Sequence, residues 1–392
     1  MSEATHASGA TAWSSAALIG RELGRVGRDL VLPDRTTLPD TGAALTLEAL
    51  ERITGRPPGS IRSIEVLDEH HGTAGRVRIA TDATDEADLP ETLFLKLTPR
   101  NPVQRLMMNL FALGHREVLF YGTVAHVAPP RVPRCHGATI DLRRGRNVVV
   151  LEDLSATARF RDIRDPASAE EAAAVVDSLA DLHATFWDSA RFDDDLASFR
   201  SRGEAAERLG NLFVGRVLGN LRGHAAEVVP AEVARKSRIV FERRGEIDAF
   251  WASEPQTLCH GDTHLGNLFF EGDIPGFLDW QAVMAGPGIR DVSYFLIASV
   301  DPDVLAPIER DLVDRYVARL STHGLDLDPE QVWTRYRASA AEIYVSAVVT
   351  AGTADRMQPP EISRVGVDRV AAAMPRLDTF DVLEELLRDA GR

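Results

Sequence analysis

His260-Gly-Asp-Thr-His-Leu-Gly-Asn267, followed by Leu278-Asp279-Trp280, sets a carboxylate, a side-chain amide and a second carboxylate in a fixed order. Asp262 is suited to accept a proton from a substrate hydroxyl. Asn267 and Asp279 offer the hard oxygen ligands that Mg²⁺ takes, and that ion keeps waters and phosphate oxygens at its other positions. Together the three fit phosphoryl transfer from a nucleoside triphosphate. Gly261 and Gly266 let the loop bend tightly. Residues 267–279 read as strand, turn, strand, which returns Asp279 towards Asn267.

A second set lies upstream. Of 44 Lys+Arg residues only Lys96 and Lys236 are lysine. A lysine that survives such an arginine bias marks a need for a compact point charge. Lys96 sits among apolar residues in Thr92-Leu-Phe-Leu-Lys-Leu-Thr98, where it either snorkels or reaches an anion. In kinases a strand lysine of this kind contacts the α/β-phosphates and pairs with a helix glutamate. Glu117, in Gly114-His-Arg-Glu-Val-Leu, is the natural partner. The Gly72–Gly75 hairpin could cover phosphates with backbone N–H groups. His260, Asp262 and His264 also have the H-x-D-x-H form of a transition-metal site. That zinc-hydrolase reading leaves Asn267 and Asp279 without a role.

The elements that must carry these residues follow from periodicity. Residues 1–45 read as an arm with a helical piece near Trp13–Leu23. Thr46 caps a short helix that ends at Gly55. Ile61–Leu67, Arg76–Thr81 and Thr92–Thr98 read as strands, Arg105–Val124 as one helix and Val148–Leu151 as another strand. From about residue 166 the pattern is helical: Ala167–Asp188, Ala205–Leu221, Ala231–Phe250, Asp291–Ser299, Pro307–His323, Pro329–Ala351 and Ile362–Arg388. His183 falls on the apolar side of its helix and reads as packed. Asp291 has the position of an N-cap. The order gives an α+β chain, a small mostly-β portion before a large mostly-helical one.

Composition narrows the function. The 392 residues are 44% hydrophobic and 26% charged, with a formal charge of −15, an ordinary globular balance that disfavours nucleic-acid binding. Two cysteines make no disulfide framework, and neither a leader nor a membrane-length apolar run is expected. A cytoplasmic protein with no nucleic-acid, membrane or obligate protein partner is the expectation.

These residues resemble the aminoglycoside phosphotransferase and choline kinase family, whose fold is protein-kinase-like and two-lobed. The likeness rests on His260–Asn267, Leu278–Trp280, Arg290-Asp291-Val-Ser-Tyr-Phe-Leu, Leu179–Trp187 and Val149–Leu154. Asp279-Trp-Gln and Asp291-Val-Ser-Tyr-Phe look closer to the ecdysteroid kinase-like branch. The resemblance implies an arm at 1–45, a nucleotide-binding N-lobe at 46–151 and a helical C-lobe at 152–392. It implies ATP-dependent phosphorylation of a small-molecule hydroxyl, with Asp262 as base, Asn267 and Asp279 on Mg²⁺, and ATP held by Lys96, Glu117, Gly72 and Gly75. Val149–Asp153, including Val150 and Glu152, would receive the purine. The glycine loop departs from a full kinase pattern. Trp-Gln in place of Phe-Gly after Asp279 implies no activation switch. A nucleotide-binding pseudokinase with a regulatory role is the alternative.

Overall fold

The computed structural model describes residues 2–31, 38–71, 74–201, 203–352 and 359–391. The chain divides into two units, one comprising 1–127, 132–157 and 202–208, the other 128–131, 158–201 and 209–392.

The first unit is built on strands β1 (Ile61–His71), β2 (Gly75–Ala83), β3 (Thr92–Leu97), β4 (Cys135–Asp141) and β5 (Arg146–Glu152). They form one antiparallel sheet in the order β1-β2-β3-β5-β4. Alternation divides its residues between two faces. Ile61, Val77, Ile79, Leu93, Leu95, Leu97, Val148 and Val150 pack with Leu50 and Ile53 of α2 (Leu47–Thr54) into a core. Thr46 Oγ1 caps α2 by accepting from Ala49 N at 3.1 Å. Lys96 stands in register with Arg76 on β2 and Val149 on β5.

Helix α1 (Ser2–Val31) precedes the sheet and extends well beyond the short helical piece expected near Trp13. Its Asp29 is buried and accepts from Arg105 at 2.6 Å and Arg146 at 2.8 Å.

The single helix expected over 105–124 is two, α3 (Pro102–Leu110) and α4 (Leu113–Thr123). The break is Ala112, which takes φ 53°. The new direction brings α4 so close to the sheet that a Cβ on Gly114 would lie 2.3 Å from Asn147 Oδ1. Strand β4, absent from the sequence expectations, flanks β5 on its outer side.

The second unit is mostly helical. Helix α5 (Ala169–Thr185) opens with a capping box, Ser168 with Glu171, that satisfies two orphan N–H groups. Then come α6 (Glu204–Leu218), α7 (His224–Val228), α8 (Ala231–Lys236), α9 (Ile239–Glu242) and α10 (Arg244–Ser253). The last three replace the single helix expected over 231–250. Beyond the loop lie α11 (Ile289–Ser299), α12 (Pro302–Thr322), α13 (Pro329–Gly352), α14 (Pro360–Leu377) and α15 (Thr379–Ala390). Helix α12 starts before the expected Pro307 because Asp301 caps it by accepting from Asp303 N at 3.0 Å. The run expected as one helix over 362–388 divides at Asp378, φ 48°. Short strands β6 (Arg159–Phe160), β7 (Thr257–Cys259), β8 (Leu268–Glu271), β9 (Ile274–Phe277) and β10 (Met284–Gly286) frame the loop: β6-β8-β9 form one sheet and β7-β10 another. Among the described residues no helix is long and apolar enough to cross a membrane.

Candidate active site

The loop after β7 is held from below. Asp291 is not a cap: Gly288 takes that position and Asp291 lies in the first turn of α11, fully buried. Its carboxylate accepts from His260 N at 2.6 Å and Gly261 N at 3.0 Å. Thr263 Oγ1 donates to the Asp291 carbonyl at 2.8 Å, and Leu265 N to Ser299 Oγ at 3.1 Å. Gly261 has φ +83°, and a Cβ there would lie 2.5 Å from the Ala282 carbonyl oxygen, so only glycine makes this turn without strain.

Burial opposes ionisation of Asp291. The hydrogen bond and charge of His183, with His260 and the Gly261 N–H, nevertheless hold its carboxyl below the ordinary range. His183 is packed, as expected, with Nδ1 2.9 Å from Tyr316 Oη and Nε2 3.4 Å from Asp291. Its carbonyl accepts from Thr257 Oγ1 at 2.6 Å.

Asp262 is held at both carboxylate oxygens. Tyr294 Oη donates to Oδ1 at 2.7 Å, and Asn267 Nδ2 donates to Oδ2 at 2.9 Å and to the Asp262 carbonyl at 2.9 Å. His264 Nε2 stands 3.6 Å from Oδ2. Burial would raise the Asp262 pKa. The His264 charge and the Tyr294 hydrogen bond outweigh it and hold the carboxyl well below the usual carboxylate range. Burial likewise opposes the charged form of His264, and the Asp262 carboxylate beside it prevails and raises its pKa.

Spending Nδ2 on Asp262 leaves Asn267 Oδ1 as the side-chain atom suited to a cation. The hairpin brings the chain just before Asp279 back to Asn267: Leu268 pairs with Phe277, and Leu278 N donates to Asn267 O at 2.8 Å. Asp279 takes the left-handed conformation, φ 58°, ψ 61°, at a cost of about 1–2 kcal/mol for a residue with a Cβ. Trp280, fully buried, anchors this turn. Its ring centroid lies 4.5 Å from His260 and 6.3 Å from Phe277, and Nε1 donates to Phe277 O at 3.3 Å.

The donor set, one amide oxygen and one carboxylate, fits a hard, oxygen-ligated cation of the kind that keeps water and phosphate at its other positions. It does not fit zinc at His260. That ring is fully buried with Nε2 2.7 Å from Leu278 O and Nδ1 accepting from Asp262 N at 3.3 Å, so neither nitrogen is left for a metal. His183, Cys259 and Asp291 also approach one another within 4.8 Å. The Asp291 carboxylate there is committed to backbone N–H groups, and burial pushes the Cys259 thiol up and keeps it protonated.

In the sheet unit, Lys96 Nζ donates to Glu117 Oε1 at 2.5 Å, both side chains being buried. Gly75 opens β2, and a Cβ there would meet Leu97 Cβ at 3.3 Å, so close packing accounts for this glycine. Gly72 lies outside the described residues. Val150 is fully buried in the central strand β5, paired with Leu95 on one side and Gly137 on the other. Its backbone lies between two paired strands. Glu152 prolongs that pairing: its N–H donates to Arg134 O at 2.9 Å and Oε1 accepts from Arg134 N at 2.8 Å. Chain leaves the sheet only after Glu152, where Asp153 accepts from Arg78 Nε at 3.0 Å and Nη2 at 2.9 Å.

The model of the phosphotransferase enzyme family matches residues 83–339, which hold the lysine strand, the loop and the hairpin. This chain belongs to that family. No curated protein sequence matches it. Among solved structures, an ethanolamine kinase from Plasmodium vivax is similar over 79% of this chain and 81% of its own, at 12% identity and a TM-score of 0.50. A choline/ethanolamine kinase family protein from Mesorhizobium loti covers 87% of this chain and 98% of its own at 17% identity, TM-score 0.46. Choline kinase from Streptococcus pneumoniae covers 84% and 96% at 12% identity, TM-score 0.47. Such identities speak for fold alone, and the ethanolamine kinase carries that comparison. The phosphotransferase has a kinase-like α+β fold with a small antiparallel sheet and a mostly helical remainder.

Sequence reading missed Tyr294 and Ser346. Tyr294 was visible only as part of Asp291-Val-Ser-Tyr. The signal that could have flagged it is its place three residues beyond Asp291, on the helix that cradles the loop.

Proposed function

We propose that this phosphotransferase moves the γ-phosphoryl group of ATP to the hydroxyl of a small molecule. One observation carries the reading: Asp262 is clamped at both oxygens, by Tyr294 and Asn267, in a loop whose hairpin leads on to Asp279. Bound Mg²⁺–ATP would supply a phosphoryl group whose charge is partly neutralised and whose β-oxygen is a good leaving group. Asn267 Oδ1 and Asp279 would hold the ion, and Lys96, fixed by Glu117, the α/β-phosphates. The chain beyond Glu152 would take the purine.

Asp262 orients the acceptor hydroxyl. As the new P–O bond forms and the bond to the β-oxygen breaks, the hydroxyl proton passes to Asp262. A carboxylate held this far below neutral pH is a weak base, so it takes the proton late and contributes mainly through orientation.

An ATP-consumption screen over aminoglycosides, macrolides, sterols, amino alcohols and sugars, with serine/threonine peptides as a control, tests this reading. The expected result is Mg²⁺-dependent ADP formation coupled to a phosphate monoester of one small-molecule class. Peptide phosphorylation alone, or ADP formation with Asp262→Asn at the wild-type rate, would contradict it.

A further inference from the structure

We propose that Tyr294, held in turn by Ser346, is a positioning residue that fixes the Asp262 carboxylate for reaction. This rests on the reading of Asp262 as the group that faces the acceptor.

The geometry is a chain of three side chains. Tyr294 Oη lies 2.7 Å from Asp262 Oδ1 and 2.6 Å from Ser346 Oγ. Asp262 is ionised and can only accept, so the tyrosine proton goes to the carboxylate and the Ser346 hydroxyl donates to the tyrosine oxygen. Asn267 takes Oδ2 from the other side. A carboxylate bonded at both oxygens by donors on different elements cannot turn about its Cβ–Cγ bond without losing one of them.

Tyr294 is itself over-determined. It projects from α11 and Ser346 from α13, and one turn earlier on the same two helices Arg290 Nη2 donates to Glu342 Oε2 at 2.9 Å. Arg290 and Tyr294 are four residues apart, as are Glu342 and Ser346. Two parallel rungs therefore set the seam between α11 and α13, and the second rung ends on the base. Phenylalanine would pack as well at this buried position. The hydroxyl is what the packing does not explain.

Tyr294→Phe, Ser346→Ala, the double variant and Asp262→Asn test the proposal. Turnover is read with Mg–ATP and the acceptor found by the screen, or with water as acceptor, and Mg–ATP affinity by calorimetry. Tyr294→Phe should lower kcat by about tenfold to a hundredfold while Mg–ATP affinity changes by less than about twofold, since orientation is lost and binding is not. Ser346→Ala should lower kcat less. The double variant should be no slower than Tyr294→Phe, because the serine acts through the tyrosine.

Wild-type kcat in Tyr294→Phe, or additive losses in the double variant, would overturn the role. Ser346→Ala removes one hydroxyl from a half-buried helix position and reports even if Tyr294→Phe folds poorly; an unchanged kcat there also overturns it. Wild-type turnover in Asp262→Asn would remove the reading of the base itself. An inactive Asp262→Asn beside a fully active Tyr294→Phe would remove the tyrosine role alone.

Discussion

Asp291 does its work without facing a substrate. Two backbone N–H groups of the loop, at His260 and Gly261, point into its carboxylate. Asp291→Asn keeps the shape but sets an amide N–H₂ or a single oxygen against two donors. Leaving one of them buried and unmet should cost about 1–3 kcal/mol at neutral pH, measured by chemical denaturation. The sign of the pH dependence follows from the depressed folded pKa. The stabilisation from Asp291 is complete above the unfolded-state value of about 4 and is lost as pH falls through the lower folded value. Wild type and variant should therefore converge in acid. A gap that persists undiminished to acid unfolding, or no gap at neutral pH, would contradict this.

At the scale of elements, Lys96 of β3 and Glu117 of α4 form an ion pair with both side chains buried. Removing one partner of a buried pair strands the other, so Lys96→Met should destabilise the protein by about 3–5 kcal/mol. Lys96→Met combined with Glu117→Met should recover most of that loss, while Mg–ATP affinity stays low because the proposed phosphate contact is gone. Recovery of nucleotide affinity along with stability, seen by calorimetry beside denaturation, would remove Lys96 from the phosphate site.

The order of strand lysine and helix glutamate was legible because both lie in short, strongly patterned segments. The break at Ala112 was not. Apolar periodicity runs across it, and only the close approach of Gly114 to Asn147 in the folded unit explains the turn. The same holds at Asp378, where a helical pattern continues through a left-handed residue. Strand β4 was not legible either, so the sequence did not show that β5 is flanked by a strand on each side.

At the scale of the whole molecule, the loop and hairpin were readable because their candidate residues lie within about twenty positions of one another, and local turn chemistry alone brings them together. Tyr294 and Ser346 reach Asp262 across 32 and 52 residues, counted from Asp262 to Tyr294 and from Tyr294 to Ser346. Such contacts are set by how α11 packs on α13, which no local pattern encodes. The N-terminal segment shows the same limit: it read as an arm, yet the buried Asp29 ties α1 to Arg105 and Arg146 of the sheet unit.

Every role proposed above depends on phosphoryl transfer at Asp262. The most direct test compares wild type and Asp262→Asn for transfer of ³²P from γ-labelled Mg–ATP to the acceptor, with Mg–ATP affinity measured on the same preparations. The expected result is a loss of about 10²–10⁴-fold in transfer, from lost orientation together with lost proton acceptance, with affinity retained. Equal transfer by the two proteins, at equal affinity, would contradict it.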